Sequence, residues 1–101
     1  MILSDNQRKI ISEANSVIIC QAENPDGDSV GSALALEEIL SDMGKEVYLH
    51  CPVQIPTYLH YLSGWDRISM DFVTTADIAI IVDTSSKVLM GKTIDEPTTM
   101  D

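Results

Sequence analysis

Two short, uninterrupted apolar runs, Val17-Ile18-Ile19-Cys20 and Ile78-Ala79-Ile80-Ile81-Val82, constrain this chain more than any other feature. They are rich in β-branched residues and bounded by turn formers. Such runs suit strands buried on both faces, the usual condition of a parallel sheet. Both fall far short of the roughly 20 residues that a membrane-spanning helix needs. Elsewhere the apolar residues change to helical spacing. Ser4-Asp5-Asn6-Gln7 reads as a capping box, and the helix it opens places Ile10, Ile11 and Ala14 on one face. After the turn Asn24-Pro25-Asp26-Gly27-Asp28, a second helix is expected from the spacing of Val30, Ala33, Leu34, Ile39, Leu40 and Met43, with Gly44 just past its end. Residues 45–50 read as a second strand and 67–69 as a short edge strand. Pro56 can open a short helix that closes at Ser63-Gly64.

Strands that alternate with helices imply βαβ units and a parallel sheet with crossovers. The expected fold is α/β: three α/β/α layers around a mainly parallel sheet, in one domain, since 101 residues suit no more. At 45% hydrophobic residues, the chain has enough apolar side chain for a real core. Its first residues lack the basic and apolar regions of a signal peptide, and the cytoplasm is the expected compartment. Cys20 and Cys51 form no CxxC pair and read as buried free thiols.

Ligands of parallel sheets bind beyond the carboxyl ends of the strands. Asp26 and Asp28 follow the first apolar run and Asp83 follows the last. If those two strands are neighbours, three carboxylates meet in one crevice. Two such charges ~5 Å apart repel by roughly 3 kcal/mol at an effective dielectric near 20. A hard divalent cation would remove that cost and gain oxygen ligands. Two ions sharing a carboxylate would suit in-line displacement at phosphorus. Helix capping alone also accounts for Asp26 and Asp28, because Asp is common at such positions. The net charge of −10, with 16 acids against 6 bases, excludes a basic nucleic-acid groove. A polyanionic substrate would have to be gripped mainly by another segment.

The motif from Asn24 through Ser32 resembles the first signature of the DHH phosphoesterase family, and Val82-Asp83-Thr84-Ser85 resembles its second. The stretch from Gln54-Ile55-Pro56 to Leu62-Ser63-Gly64 is similar to a segment of the oligoribonuclease and pAp-phosphatase branch. The resemblance implies manganese- or magnesium-dependent hydrolysis of a phosphoester or phosphodiester, with two ions in the complete site. Its implied substrates are nucleotides or short oligonucleotides: pAp, nanoRNA or cyclic dinucleotides. By the same resemblance Asp26, Asp28 and Asp83 are metal ligands, Asp28 and Asp83 are also catalytic, and Asp83 bridges the two ions. The family's histidine three residues before the proline is Ala22 here, and the Asp-His-His motif is absent. The chain is therefore expected to be the N-terminal portion of such a domain, truncated before that motif. Alone, it should be inactive and bind metal weakly or not at all. A membrane partner is not expected, and a homodimer is compatible with this reading.

Ala22 also supports an alternative: a catalytically dead DHH-like domain kept for nucleotide binding or scaffolding. A phosphate-accepting aspartate of the receiver or haloacid-dehalogenase type is less favoured, because Gln21-Ala22-Glu23-Asn24-Pro25 separates the strand from its first Asp. His50 ends the second strand on the acidic edge, where a hydrogen-bonded surface role is the simpler reading. His60 and Trp65 read as packing residues, Ser29 and Ser32 as helix-cap residues, and Ser85 and Ser86 as caps for whatever follows Asp83.

Overall fold

A computed structural model describes residues 4–73 and 75–82, and the backbone of 88–92. Asp83, Ser85, Ser86 and the last nine residues lie outside the described residues. The first helix, α1 (Asp5–Glu13), is opened by the expected capping box: Ser4 Oγ accepts from Gln7 N at 3.1 Å, and Gln7 Oε1 accepts from Ser4 N at 2.9 Å. Strand β1 (Ser16–Gln21) leads into α2 (Gly27–Asp42), followed by β2 (Glu46–His50). Gly44 sits at φ 83° just past the α2 C-cap, a backbone region where a Cβ is costly. The predicted short helix from Pro56 is a single 3-10 turn, Thr57–Leu59, and a second 3-10 turn covers Trp65–Arg67. Strands β3 (Ile68–Ser69), β4 (Ile78–Val82) and β5 (Val88–Lys92) complete the order.

The five strands form one sheet in the order β3-β2-β1-β4-β5. The first four are parallel, and β5 pairs with β4 antiparallel. This is the expected α/β fold with a mainly parallel sheet. Residues 88–92 gave no strand signal to the sequence reading, because Gly91 and Lys92 interrupt a run of only three apolar residues. Among the described residues, no helix is long and apolar enough to cross a membrane.

Strand β1 owes its central place to its composition. Residues 17–21 are all buried, so both faces of the strand are covered. On one face Val17 and Ile19 join Ile78, Ile80 and Val82 beneath Ile11 of α1 and Leu36 and Leu40 of α2. Both helices therefore share one layer, and among the described residues no α-helix contributes to the cluster on the other face, where the expectation of three α/β/α layers had placed one. On the other face Ile18 and Cys20 pack with Ala76 and Ala79. Burying an Ile or Val side chain contributes about 1.5–3 kcal/mol, so the β1–β4 seam is the densest source of apolar stabilisation here.

The buried stripe of α2 is Val30, Ala33, Leu36 and Leu40. Ile39 and Met43, expected on the same face, are more than half exposed. Leu36, three residues after Ala33 and four before Leu40, holds the stripe, and Ile39 and Met43 border a cleft against α1. A third cluster, Val30, Cys51, Ile55 and Leu59, presses residues 51–59 onto the first turns of α2.

At the amino ends of the central strands, Asp77 forms a reciprocal clasp. Its Oδ2 accepts from Asn15 N at 2.8 Å and Ser16 N at 3.2 Å, and its own N–H donates to Ser16 Oγ at 2.9 Å. The clasp fixes where β4 starts beside β1. Replacing Asp77 with Ala should lower the unfolding free energy by about 1–2 kcal/mol in urea titrations, with the slope unchanged. Wild-type stability in that variant would show that apolar packing alone sets the pairing.

Candidate divalent-cation site

The chain runs outward from β1 to β2 to β3, then returns to lay β4 on the opposite flank of β1. This reversal makes the gap between β1 and β4 the topological switch point, where open α/β sheets bind ligands beyond the strand carboxyl ends. The two strands are in register to their last residues, Gln21 opposite Val82. The condition set by the sequence is met: the strands that precede the Asp26–Asp28 turn and Asp83 are direct neighbours. Asp83 follows Val82 in the chain and itself lies outside the described residues.

Asp26 is half-buried and caps α2. Its Oδ1 accepts from Ser29 N at 2.8 Å, while Ser29 Oγ accepts from Asp26 N at 3.0 Å. The capping reading is thus directly visible, and it occupies only one carboxylate oxygen. Asp28 lies exposed in the first turn of α2. Both carboxylates belong to the N-terminal end of α2. Among the described residues, no group of three or more His, Cys, Asp or Glu side chains is placed to hold a metal; Asp83 is not one of those residues.

The neighbouring side chains divide clearly. His50 is engaged at its Nδ1, 3.1 Å from the Asp71 carbonyl, and its ring meets Phe72 edge-on at 5.3 Å. It is a hydrogen-bonded residue of the sheet rim, as the simpler reading had it. His60 stacks on Trp65 at 3.5 Å, with Nε2 3.1 Å from the Ile55 carbonyl, so both residues serve packing. Ser29 completes the cap, while Ser32 lies a turn further along the helix. Cys20 and Cys51 are free and buried. Burial pushes the Cys20 thiol up to about 11 and raises that of Cys51, so neither offers a thiolate near neutral pH.

Two residues at this edge escaped the sequence reading. Tyr61 is 75% exposed, yet its hydroxyl lies beside the turn: a Cβ added at Gly27 would come 3.6 Å from it. The second is Gln21, buried at the end of β1. Its Nε2 donates to the Ser29 carbonyl at 3.0 Å, and its Oε1 is buried with no hydrogen-bond partner. Ending an apolar strand on an amide immediately before an acidic turn was the available signal.

The acidic side-chain atoms of the turn are oxygens, the free one of Asp26 and those of Asp28, and the orphaned amide oxygen of Gln21 lies at the end of the preceding strand. Such a set fits a hard cation such as manganese or magnesium and offers nothing to a thiophilic one. The fold and site define the class, an α/β domain with an acidic turn at its switch point. Comparison with models of protein families and with curated proteins finds no match for the chain.

The cap bond of Asp26 and its charge can be separated. Asp26→Ala should lower stability by about 1 kcal/mol through loss of the cap, and Asp26→Asn by only a few tenths, because Asn caps as well as Asp. Thermal unfolding without added metal reads both. An Asn variant as unstable as the Ala variant would show that the carboxylate charge, not the cap bond, matters to folding.

Proposed function

We propose that this chain is the N-terminal part of a DHH-type, manganese-dependent phosphoesterase or phosphodiesterase acting on nucleotides or short oligonucleotides. The observation that carries the proposal is the adjacency of β1 and β4 at the sheet reversal, with the Pro25-Asp26-Gly27-Asp28 turn after one and Asp83 after the other. Manganese or magnesium, when bound, supplies Lewis-acid polarisation of a phosphoryl oxygen. Asp26 would hold the cation with the oxygen that the cap leaves free, while the cap keeps its carboxylate from swinging away. Asp28, in the first turn of α2, would provide the second carboxylate and Asp83 the third. The N–H groups at the start of α2 favour a phosphate near the same point.

The charge balance agrees with a role for the cation. A domain of net charge −10 repels a nucleotide phosphate, and a divalent ion among its carboxylates reverses that locally. A second reading has its own support. Ala22 has no donor side chain, and its carbonyl accepts from the Cys51 thiol at 3.9 Å. A site short of one ligand suits a domain that binds nucleotides without turnover.

Hydrolysis of pAp and short oligonucleotides by the complete protein, with and without manganese, tests the proposal. Asp83→Ala should reduce manganese-dependent turnover by about 100-fold or more, beyond the loss typical of an outer-shell ligand partner. Full activity in that variant would refute the assignment. Nucleotide binding without turnover in the wild type would favour the scaffold reading.

A further inference from the structure

Gln21 is the one described residue with a buried side-chain polar atom that lacks a hydrogen-bond partner. An orphaned buried acceptor costs about 1–3 kcal/mol, so it calls for an explanation. The amide cannot relieve it by turning over. Exchange of its two ends would set Oε1 against the Ser29 carbonyl, acceptor against acceptor, and would orphan the nitrogen instead. The group is also well fixed: the residue is 95% buried, by its 5% exposure, and tied to the first turn of α2.

Its position gives the orphan a meaning. Gln21 is the last residue of β1, opposite Val82, so it lies at the switch point between the two chain ends that carry the acids. It bonds to the carbonyl of Ser29, the same residue whose N–H and hydroxyl cap with Asp26. The amide and Asp26 are therefore linked through one residue. Asp26 leaves one carboxylate oxygen outside the cap, so an unengaged oxygen stands on each side of Ser29.

We infer that the Gln21 side-chain oxygen is a neutral ligand of the divalent cation bound at the Asp26–Asp28 turn. The inference rests on the cation site proposed above and adds a residue to it. An amide oxygen is an ordinary ligand for hard cations and adds no charge to an already acidic site. The Nε2 bond to Ser29 sets the direction of the oxygen, as outer hydrogen bonds commonly do for metal ligands. A buried water is the competing partner, and it would need room and two or more polar neighbours.

Manganese binding by the complete protein, read from the EPR signal of the free ion, tests this together with Gln21→Met, which keeps length and loses both polar atoms. The dissociation constant should rise about 10–100-fold in Gln21→Met, while the metal-free variant remains as stable as wild type or gains stability. Unchanged affinity would overturn the role of Gln21 and leave the cation site standing. Failure of the wild type to bind manganese would remove the site and the inference together. If Gln21→Met does not fold, the side-chain amide signal of Gln21 in the wild type decides. It should shift on titration with magnesium in step with binding, and a signal that stays put at saturation would overturn the inference.

Discussion

The pairing of β1 with β4 governs everything else in this domain. It joins residues 62 positions apart in sequence at Asn15 and Asp77, aligns two strands that are buried nearly throughout, and closes the core beneath both helices. Its hydrophobic contribution is large, but apolar contacts are tolerant of a shift along the strand. The Asp77 clasp at the amino ends supplies the directional bonds that fix the start. Five residues later the same register sets Gln21 against Val82, and the acidic turn leaves β1 beside the strand that leads to Asp83. A one-residue slip would turn the core face of β4 outward and separate the two ends of the site.

The acid turn caps α2 with one carboxylate oxygen of Asp26 and leaves the other free. Ser29 returns the favour by binding the Asp26 backbone. Pinning Ser29 also fixes the carbonyl that receives Gln21. The helix cap and the placement of the Gln21 amide thus arise from one small network. With a net charge of −10, the domain repels anions unless a cation offsets its carboxylates, the condition on which the proposed function depends. Elsewhere on the surface, the Arg67–Glu37 pair, with Nε–Oε2 3.0 Å, is the only ion pair among the described residues, and it joins an exposed guanidinium to a largely covered carboxylate.

Much of this was legible in the amino-acid order. The uninterrupted apolar runs marked the two central strands, and Ser4, Asp26 and Gly44 marked helix ends through rules that act over three or four residues. The strand order was not legible, because whether β4 lies beside β1 or beyond β3 depends on long-range packing. Ile39 and Met43 satisfied a helical period yet faced outward, since a wide apolar arc on α2 does not say which part the sheet will cover. Residues 88–92 lacked a periodic signature, and pairing with an existing edge made the strand. An amide that ends the apolar run of β1 is legible at Gln21, but its orphaned oxygen is a property of the folded surroundings and shows only once each donor near the amide is placed. Asp26 and Asp28 were found as a pair of acids, and their division into cap and free carboxylate required the helix geometry.

The central claim is that the β1–β4 switch point holds a divalent cation at the Asp26–Asp28 turn. Paramagnetic broadening of backbone amide signals by substoichiometric manganese, measured on the complete protein, tests it most directly. Broadening should centre on residues 21–30 and on Val82, and leave residues 8–13 and 36–43 sharp. Broadening centred instead on Glu37 and Glu38, or no broadening at all, would contradict the claim.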